Sequence, residues 1–307
     1  MDEESDCITI RIDEEGLRLD KILAERFSNI KSRTYFQMLI DNERVLLNGF
    51  PVKKRIKPIA GDEVHIYFIL SPEIGLTPEA IPLDILYEDD DIIIVNKPAG
   101  MVVHPAVGNW TGTFVNALLH HCQHLCCGDK TSLRPGIVHR LDKDTSGVLL
   151  AAKSSAAQQR LVEMFASRKI HKEYIAICVG NPGDAELTGA IGRHPVNRKM
   201  MAVVENGGKP ALSSCKTLGY DGKISLVAIV LATGRTHQIR VHLKHHGTPV
   251  LGDSVYGSTQ ANKKYAVNRQ LLHAKLLRFN HPMTGLLMEI EAPLPIDMAE
   301  RVNCFNN

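Results

Sequence analysis

With 307 residues, 44% hydrophobic and 23% charged, the chain has the composition of an ordinary globular protein, long enough for one sizeable domain and a small one. No apolar run approaches the roughly 18 residues of a membrane span. Seven irregularly spaced cysteines (Cys7, Cys122, Cys126, Cys127, Cys178, Cys215, Cys304) argue against a disulfide-built secreted scaffold and for a cytoplasmic protein. Net charge is only +2, but residues 1–15 hold seven acids against one base and residues 16–70 ten bases against six acids, so a basic segment is hidden behind an acidic tail.

Within that tail, Cys7 to Ile12 alternates and can add an edge strand. From Leu17, the spacing of Leu17, Leu19, Ile22, Leu23 and Phe27 predicts an amphipathic helix. A second helix, capped by Ser32, turns Tyr35, Met38 and Leu39 inward. Strand-like Arg44 to Leu47, the turn Asn48-Gly49, a cluster Lys53-Lys54-Arg55-Lys57 and the apolar stretch Val64 to Leu70 follow. This unit, residues 16–70, is similar to the S-four-type RNA-binding module. The resemblance implies that Lys31, Arg33, Lys53, Lys54 and Arg55 contact RNA phosphates, holding the substrate without reading its sequence. Taken alone, the same cluster reads as a solvated cationic face. Residues 71–83, with three prolines and a glycine, read as a linker, and residues 84–307 as the second domain.

That domain opens with Asp84 to Glu88, an acidic turn and the apolar strand Ile92 to Val95 running into Asn96-Lys97-Pro98-Ala99-Gly100, where Lys97 and His104 suit either a groove or a structural role. A helix from Thr111 or Thr113 to His120 ends in His120-His121-Cys122-Gln123-His124-Leu125-Cys126-Cys127. The i,i+4 spacings there can hold zinc, but no distant second pair of ligands stands out, so no metal is expected. Arg134 to Lys153 then sets His139, Arg140, Asp142, Lys143, Asp144, Thr145 and Ser146 between two apolar runs. Charged groups at the mouth of a buried strand cost several kcal/mol unless each finds a partner, so this stretch reads as an active-site loop. Gly147 to Lys153 forms a strand, Ser154 to Ser167 a helix with Ala157, Leu161, Met164 and Phe165 inward, and Lys172-Glu173-Tyr174 opens another strand. Strands near Ser213 to Leu218 and Lys223 to Leu231 precede Thr233-Gly234-Arg235-Thr236-His237-Gln238-Ile239-Arg240-Val241-His242, where Thr236 is placed as a helix cap. Gly252-Asp253, Tyr256-Gly257, Gln270 to Ala274 and His281 to Gly285 read as turns and strands that close the sheet.

His139-Arg140-Leu141-Asp142 with Thr145-Ser146-Gly147, Lys172 to Tyr174, and Thr233 to His242 resemble three motifs of the RluA-type pseudouridine synthases, most of all the D type that acts on large-subunit rRNA. The resemblance covers nearly all of residues 17–300. It implies an α+β catalytic domain on a mixed, mostly antiparallel, bifurcated sheet flanked by helices. It also implies that Asp142 is catalytic, Tyr174 stacks on the target base, Arg240 holds the carboxylate (with Arg235 as second choice), and Arg140 fills the space the base vacates. His139 and Arg235 join Arg140 as RNA contacts.

Isomerising a uridine moves no electrons and adds no group, so no cofactor is expected. The partner that the resemblance implies is large-subunit rRNA or a pre-ribosomal particle, with no membrane and a monomeric chain expected. Three rival readings remain. Asp142 and Asp144 as a glycosidase pair is disfavoured because i,i+2 side chains splay apart. Asp142 as a mere salt-bridge residue, and the whole chain as an RNA-binding ribosome assembly factor with dispensable catalysis, both leave the three motifs together unexplained.

Overall fold

The computed structural model describes residues 5–27, 33–53, 55–68, 77–105, 109, 111–122, 134–197, 200–302 and 305. The chain divides into two compact units, Met1–Gly75 and Leu76–Asn307.

The smaller unit contains β1 (Ser5–Thr9), a 3-10 turn (Ile12–Glu14), α1 (Leu19–Arg26), α2 (Arg33–Asp41), β2 (Val45–Leu47), β3 (Phe50–Pro51) and β4 (Glu63–Tyr67). Its four strands pair antiparallel in the order β1-β4-β2-β3, so the alternating stretch of the acidic tail is an edge strand. Asn48 and Gly49, both at positive φ, make the two-residue turn between β2 and β3. Leu19, Ile22 and Leu23 of α1 meet Phe36, Leu39 and Ile40 of α2 over Val45, Val64 and Ile66. Phe36 and Ile40 are the deeply buried partners of Leu39; the expected Tyr35 and Met38 sit half-buried at the margin of that face.

The larger unit runs β5 (Ile85–Glu88), β6 (Ile92–Lys97), α3 (Phe114–His121), β7 (Ser146–Ala152), α4 (Ser155–Ala166), β8 (His171–Val179), β9 (Ala185–Arg193), β10 (Met201–Val203), β11 (Lys209–Tyr220), β12 (Ile224–Leu231), α5 (Gln238–His245), α6 (Thr259–Lys264), β13 (Leu272–Asn280), β14 (Leu287–Glu291) and α7 (Ile296–Val302). The strands form one sheet in the order β10-β9-β11-β12-β8-β13-β7-β6-β5. It forks at β13, which pairs with β8 and β14 antiparallel and touches β7 in parallel at His273 and Ala274. Alternate residues of β6 and β7 enter different cores: Ile93, Val95, Leu149 and Ala151 pack with α3 and α5, Ile92, Ile94, Val148 and Leu150 with α4. A strand covered on both faces reads as a continuous apolar run, as Ile92 to Val95 and Val148 to Ala152 do.

Three features depart from the sequence reading. The second half of the expected linker is bound to this unit, where the Asn116 side-chain amide donates to Thr77 O and the Gly112 N–H donates to the Glu79 carboxylate. Strands β9 and β10 lie in a stretch whose glycines mask any alternation. Thr236 does not cap α5: His237 occupies that position at φ 56, and the Gln238 side chain instead accepts from Arg235 N–H and the Thr233 hydroxyl.

Candidate active site

Asp142 stands in the loop that enters β7, and this loop is tied from every side. Lys97, with no exposed surface, donates its ammonium to the carbonyls of Pro98, Met101 and Lys143. Burial pulls its pKa down to about 7, against the opposing pull of Asp144 and Asp142; the three carbonyls match the three protons of the charged form. Gly100 N–H also donates to Lys143 O, Arg269 donates to Asp144 O, and the Gln270 amide donates to the Thr145 hydroxyl. His139 accepts the Leu150 N–H at 2.9 Å and stacks on Phe165. Burial and Lys172 push its pKa down to about 3. A neutral imidazole whose acceptor nitrogen is occupied by the backbone holds the loop in place and offers no charge to a phosphate, which is a different task from the one expected of His139.

One guanidinium N–H of Arg240 donates to Asp142 Oδ2 at 2.9 Å. Its Nε and the other terminal nitrogen form a two-pronged pair with Asp253, at 2.6 and 2.9 Å. Asp253 also accepts the N–H groups of Val255 and Tyr256, and these hydrogen bonds, with Arg240, hold its carboxyl below the usual range in spite of burial. The Tyr256 ring lies 5.0 Å from the guanidinium carbon; its hydroxyl accepts the Met201 N–H and sits 2.8 Å from His237 Nδ1. The other ring nitrogen of His237 is 3.9 Å from Asp142 Oδ1. Burial lowers the His237 pKa, with Arg240 adding to the effect and Asp142 opposing it.

Asp142 opens onto a cavity of about 410 Å³, within the range of small-ligand sites. His139, Arg140, Tyr174, Arg235 and Arg240 line it too, so every site residue expected in the larger unit borders one space. Tyr174, nine-tenths buried on β8, has its phenol pushed up by burial and by Asp142, so it stays protonated. Arg140 is exposed at the mouth. Arg235 does not reach the carboxylate; its Nε donates to Pro210 O.

Sequence reasoning assigned Asp253 and Tyr256 to packing and did not use His237 or Lys172. An aspartate in a Gly-Asp turn carries no mark of the arginine it will meet; in His237 the adjacent motif was the available signal. In the smaller unit, Lys53 and Arg55 are exposed, Lys31 and Lys54 lie outside the described residues, and Arg33 pairs with the buried Asp20, which also accepts from Arg18 and Gln37. Arg33 thus ties α2 to α1, a different task from an open phosphate contact. In the His/Cys run, Glu88, His121 and Cys122 offer atoms within 4.8 Å of one another, but Glu88 is taken by Lys153 at 2.6 Å and His121 at 2.8 Å. His124, Cys126 and Cys127 lie outside the described residues.

The profile of the family described as RNA pseudouridylate synthase matches residues 91–245. The ribosomal large subunit pseudouridine synthase D of Escherichia coli K12 is 42% identical over 96% of this chain and 92% of its own. An uncharacterized RNA pseudouridine synthase of Bacillus subtilis is 42% identical over 96% of both. Human RNA pseudouridylate synthase domain containing 1 superposes with a TM-score of 0.57 at 26% identity, over 74% of this chain and 96% of that one.

Proposed function

The chain belongs to the RNA pseudouridylate synthase family, and on that premise we propose that it converts uridines of large-subunit ribosomal RNA to pseudouridine, with Asp142 as the catalytic carboxylate. The reaction breaks the bond from the ribose to N1, turns the uracil, and joins the ribose to C5, which gives up its proton while N1 gains one. The observation that carries the assignment is the Asp142 carboxylate, held at 2.9 Å by Arg240 in the wall of a cavity that Tyr174 also lines. A charge-assisted hydrogen bond from a guanidinium fixes the direction in which the carboxylate points.

The target base has to leave its stack to enter this cavity, which costs a few kcal/mol and least in a loop. Tyr174 receives the ring by stacking, and Arg140, exposed at the mouth two residues before the carboxylate, takes the space that the base leaves. The unit Met1–Gly75 is read as an S-four-type module that holds RNA phosphates through Lys53 and Arg55, both exposed in the segment that follows β3. The protein is read as a monomer acting in the cytoplasm, where its ribosomal substrate is assembled.

The test is tritium release from unmodified rRNA labelled at uridine C5. The wild-type chain releases tritium; Asp142→Asn, which keeps the shape and removes the charge, lowers release by ~10³-fold or more while RNA binding stays near wild type. Unchanged release from Asp142→Asn rejects the assignment. Tight binding without release from the wild type supports the assembly-factor reading.

A further inference from the structure

Lys172 lies two residues before Tyr174 on β8, and side chains two apart on a strand share a face. It therefore opens on the same cavity, and its residue is only 8% exposed. Buried ammonium groups are ordinarily paired with a carboxylate. Lys172 forms no ion pair among the described residues; its Nζ stands 6.0 Å from the centroid of the Phe165 ring, and Gly234 lies beside it, where an added Cβ would stand 4.0 Å from that Nζ. Arg168 and Arg235 border the same wall, and neither forms an ion pair with a carboxylate among the described residues. The contrast with Arg240 is direct, since that guanidinium is paired with two carboxylates, Asp253 and Asp142.

We propose that Arg168, Lys172 and Arg235 form an anion cradle that grips a backbone phosphodiester of the RNA beside the target uridine, and so sets how deeply the flipped nucleotide enters the cavity. This rests on the reading of the chain as an RNA-modifying enzyme and adds the part of the substrate that the pocket holds. Arg168 and Arg235 stand close enough to disfavour the charge of Lys172: after burial, they are the groups that lower its pKa. An anion that bridges them relieves this repulsion. Uracil is neutral before its bond to ribose breaks, whereas every nucleotide of the strand carries a phosphate, which suits guanidinium and ammonium donors. Arg168 reaches the wall from a left-handed position, φ 59, just past α4, where glycine is the usual residue. Arg235 is steadied by the hydrogen bond of its Nε to Pro210 O, and among the described residues no hydrogen bond takes its terminal nitrogens.

The test uses the full-length chain and an unmodified large-subunit rRNA transcript labelled at uridine C5, with binding measured over a series of salt concentrations beside turnover. Lys172→Gln raises the Kd and KM by roughly tenfold, more than it lowers kcat, and flattens the dependence of log Kd on log salt by about one phosphate's worth. Lys172→Arg restores most of the affinity and slope. Arg168→Gln and Arg235→Gln, at less buried positions, give the same change of slope and keep the question answerable if Lys172→Gln does not fold. Unchanged affinity and slope in all the folded variants overturns the cradle. A fall in kcat with KM and slope unchanged also overturns it, since the ammonium would then act on the departing uracil. A wild-type chain that binds the transcript but releases no tritium counts against the catalytic reading, while the salt slopes still decide the cradle.

Discussion

Each of the three guanidinium nitrogens of Arg240 donates to a carboxylate, two to Asp253 and one to Asp142. The carboxylate of Asp142 therefore points where Asp253 directs it, through a side chain that is itself 6% exposed. Replacing Asp253 by asparagine keeps the volume and removes the charge opposite a buried cation, a change that costs about 3 kcal/mol of stability. Misdirecting a catalytic group by a fraction of its reach lowers kcat by about 10²-fold while leaving KM nearly unchanged. Urea unfolding and tritium release measure the two effects separately. Wild-type kcat in a folded Asp253→Asn enzyme would remove the positioning role. Asp142 and its pairing with Arg240 were legible in the residues, because each belongs to a motif of its own. Asp253 was not, since an aspartate at a turn is ordinary and only the fold brings it against α5.

At the scale of elements, the Asp142 loop is fixed where β7 crosses β13. Their parallel contact covers only two register pairs, Ser146 with His273 and Gly147 with Ala274. Gly147 sits at φ 111, and a Cβ there would stand 2.2 Å from the Ala274 carbonyl oxygen. Gly147→Ala forces the two strands apart and costs more than about 3 kcal/mol, with kcat falling because the loop moves with the strand. Gly222 also has a positive φ but open space around it, so Gly222→Ala costs only about 1 kcal/mol. Thermal unfolding of both variants separates backbone strain from close approach; equal losses would show that the crossing does not depend on this glycine. The sequence marked Gly147 as part of a motif but gave no reason for it, because the atom it must avoid lies on a strand far away in the chain. The misplaced cap at Thr236 has a similar origin. A threonine before an apolar helix is the ordinary local signal, and here the Gln238 side chain satisfies the backbone instead.

For the whole molecule, the larger unit keeps several histidines neutral by burial. His139 is lowered to about 3, and His242 and His273 to about 4, from an ordinary value of 6.5. The unfolded chain takes up these protons near the ordinary value, and the folded chain does so only at much lower pH. Their contribution to stability is thus fully present above 6.5 and declines as the pH falls from there toward 4, on the order of 2 kcal/mol each at about pH 5. Asp253, Asp89 and Glu88 have depressed values, so their losses begin at more acidic pH and leave this window to the histidines. Urea midpoints of the larger unit at about pH 7.5 and pH 5 measure the loss, and His273→Gln, if it folds, reduces it. Equal midpoints at the two pH values would reject buried neutral histidines as its source.

The order of residues was sufficient for the family, the main helices and strands, and a core of cavity residues that includes Asp142, Tyr174 and Arg240. Those signals are local: a helical face, a buried run or a motif is written in neighbours along the chain. The surroundings of the Asp142 carboxylate were decided only on folding. Arg240 reaches Asp142 across 98 positions, Lys97 ties the same loop across 46, and Arg269 across 125. The electrostatics and rigidity of a buried charge depend on distance in space, and no pattern of spacing along the chain encodes that distance.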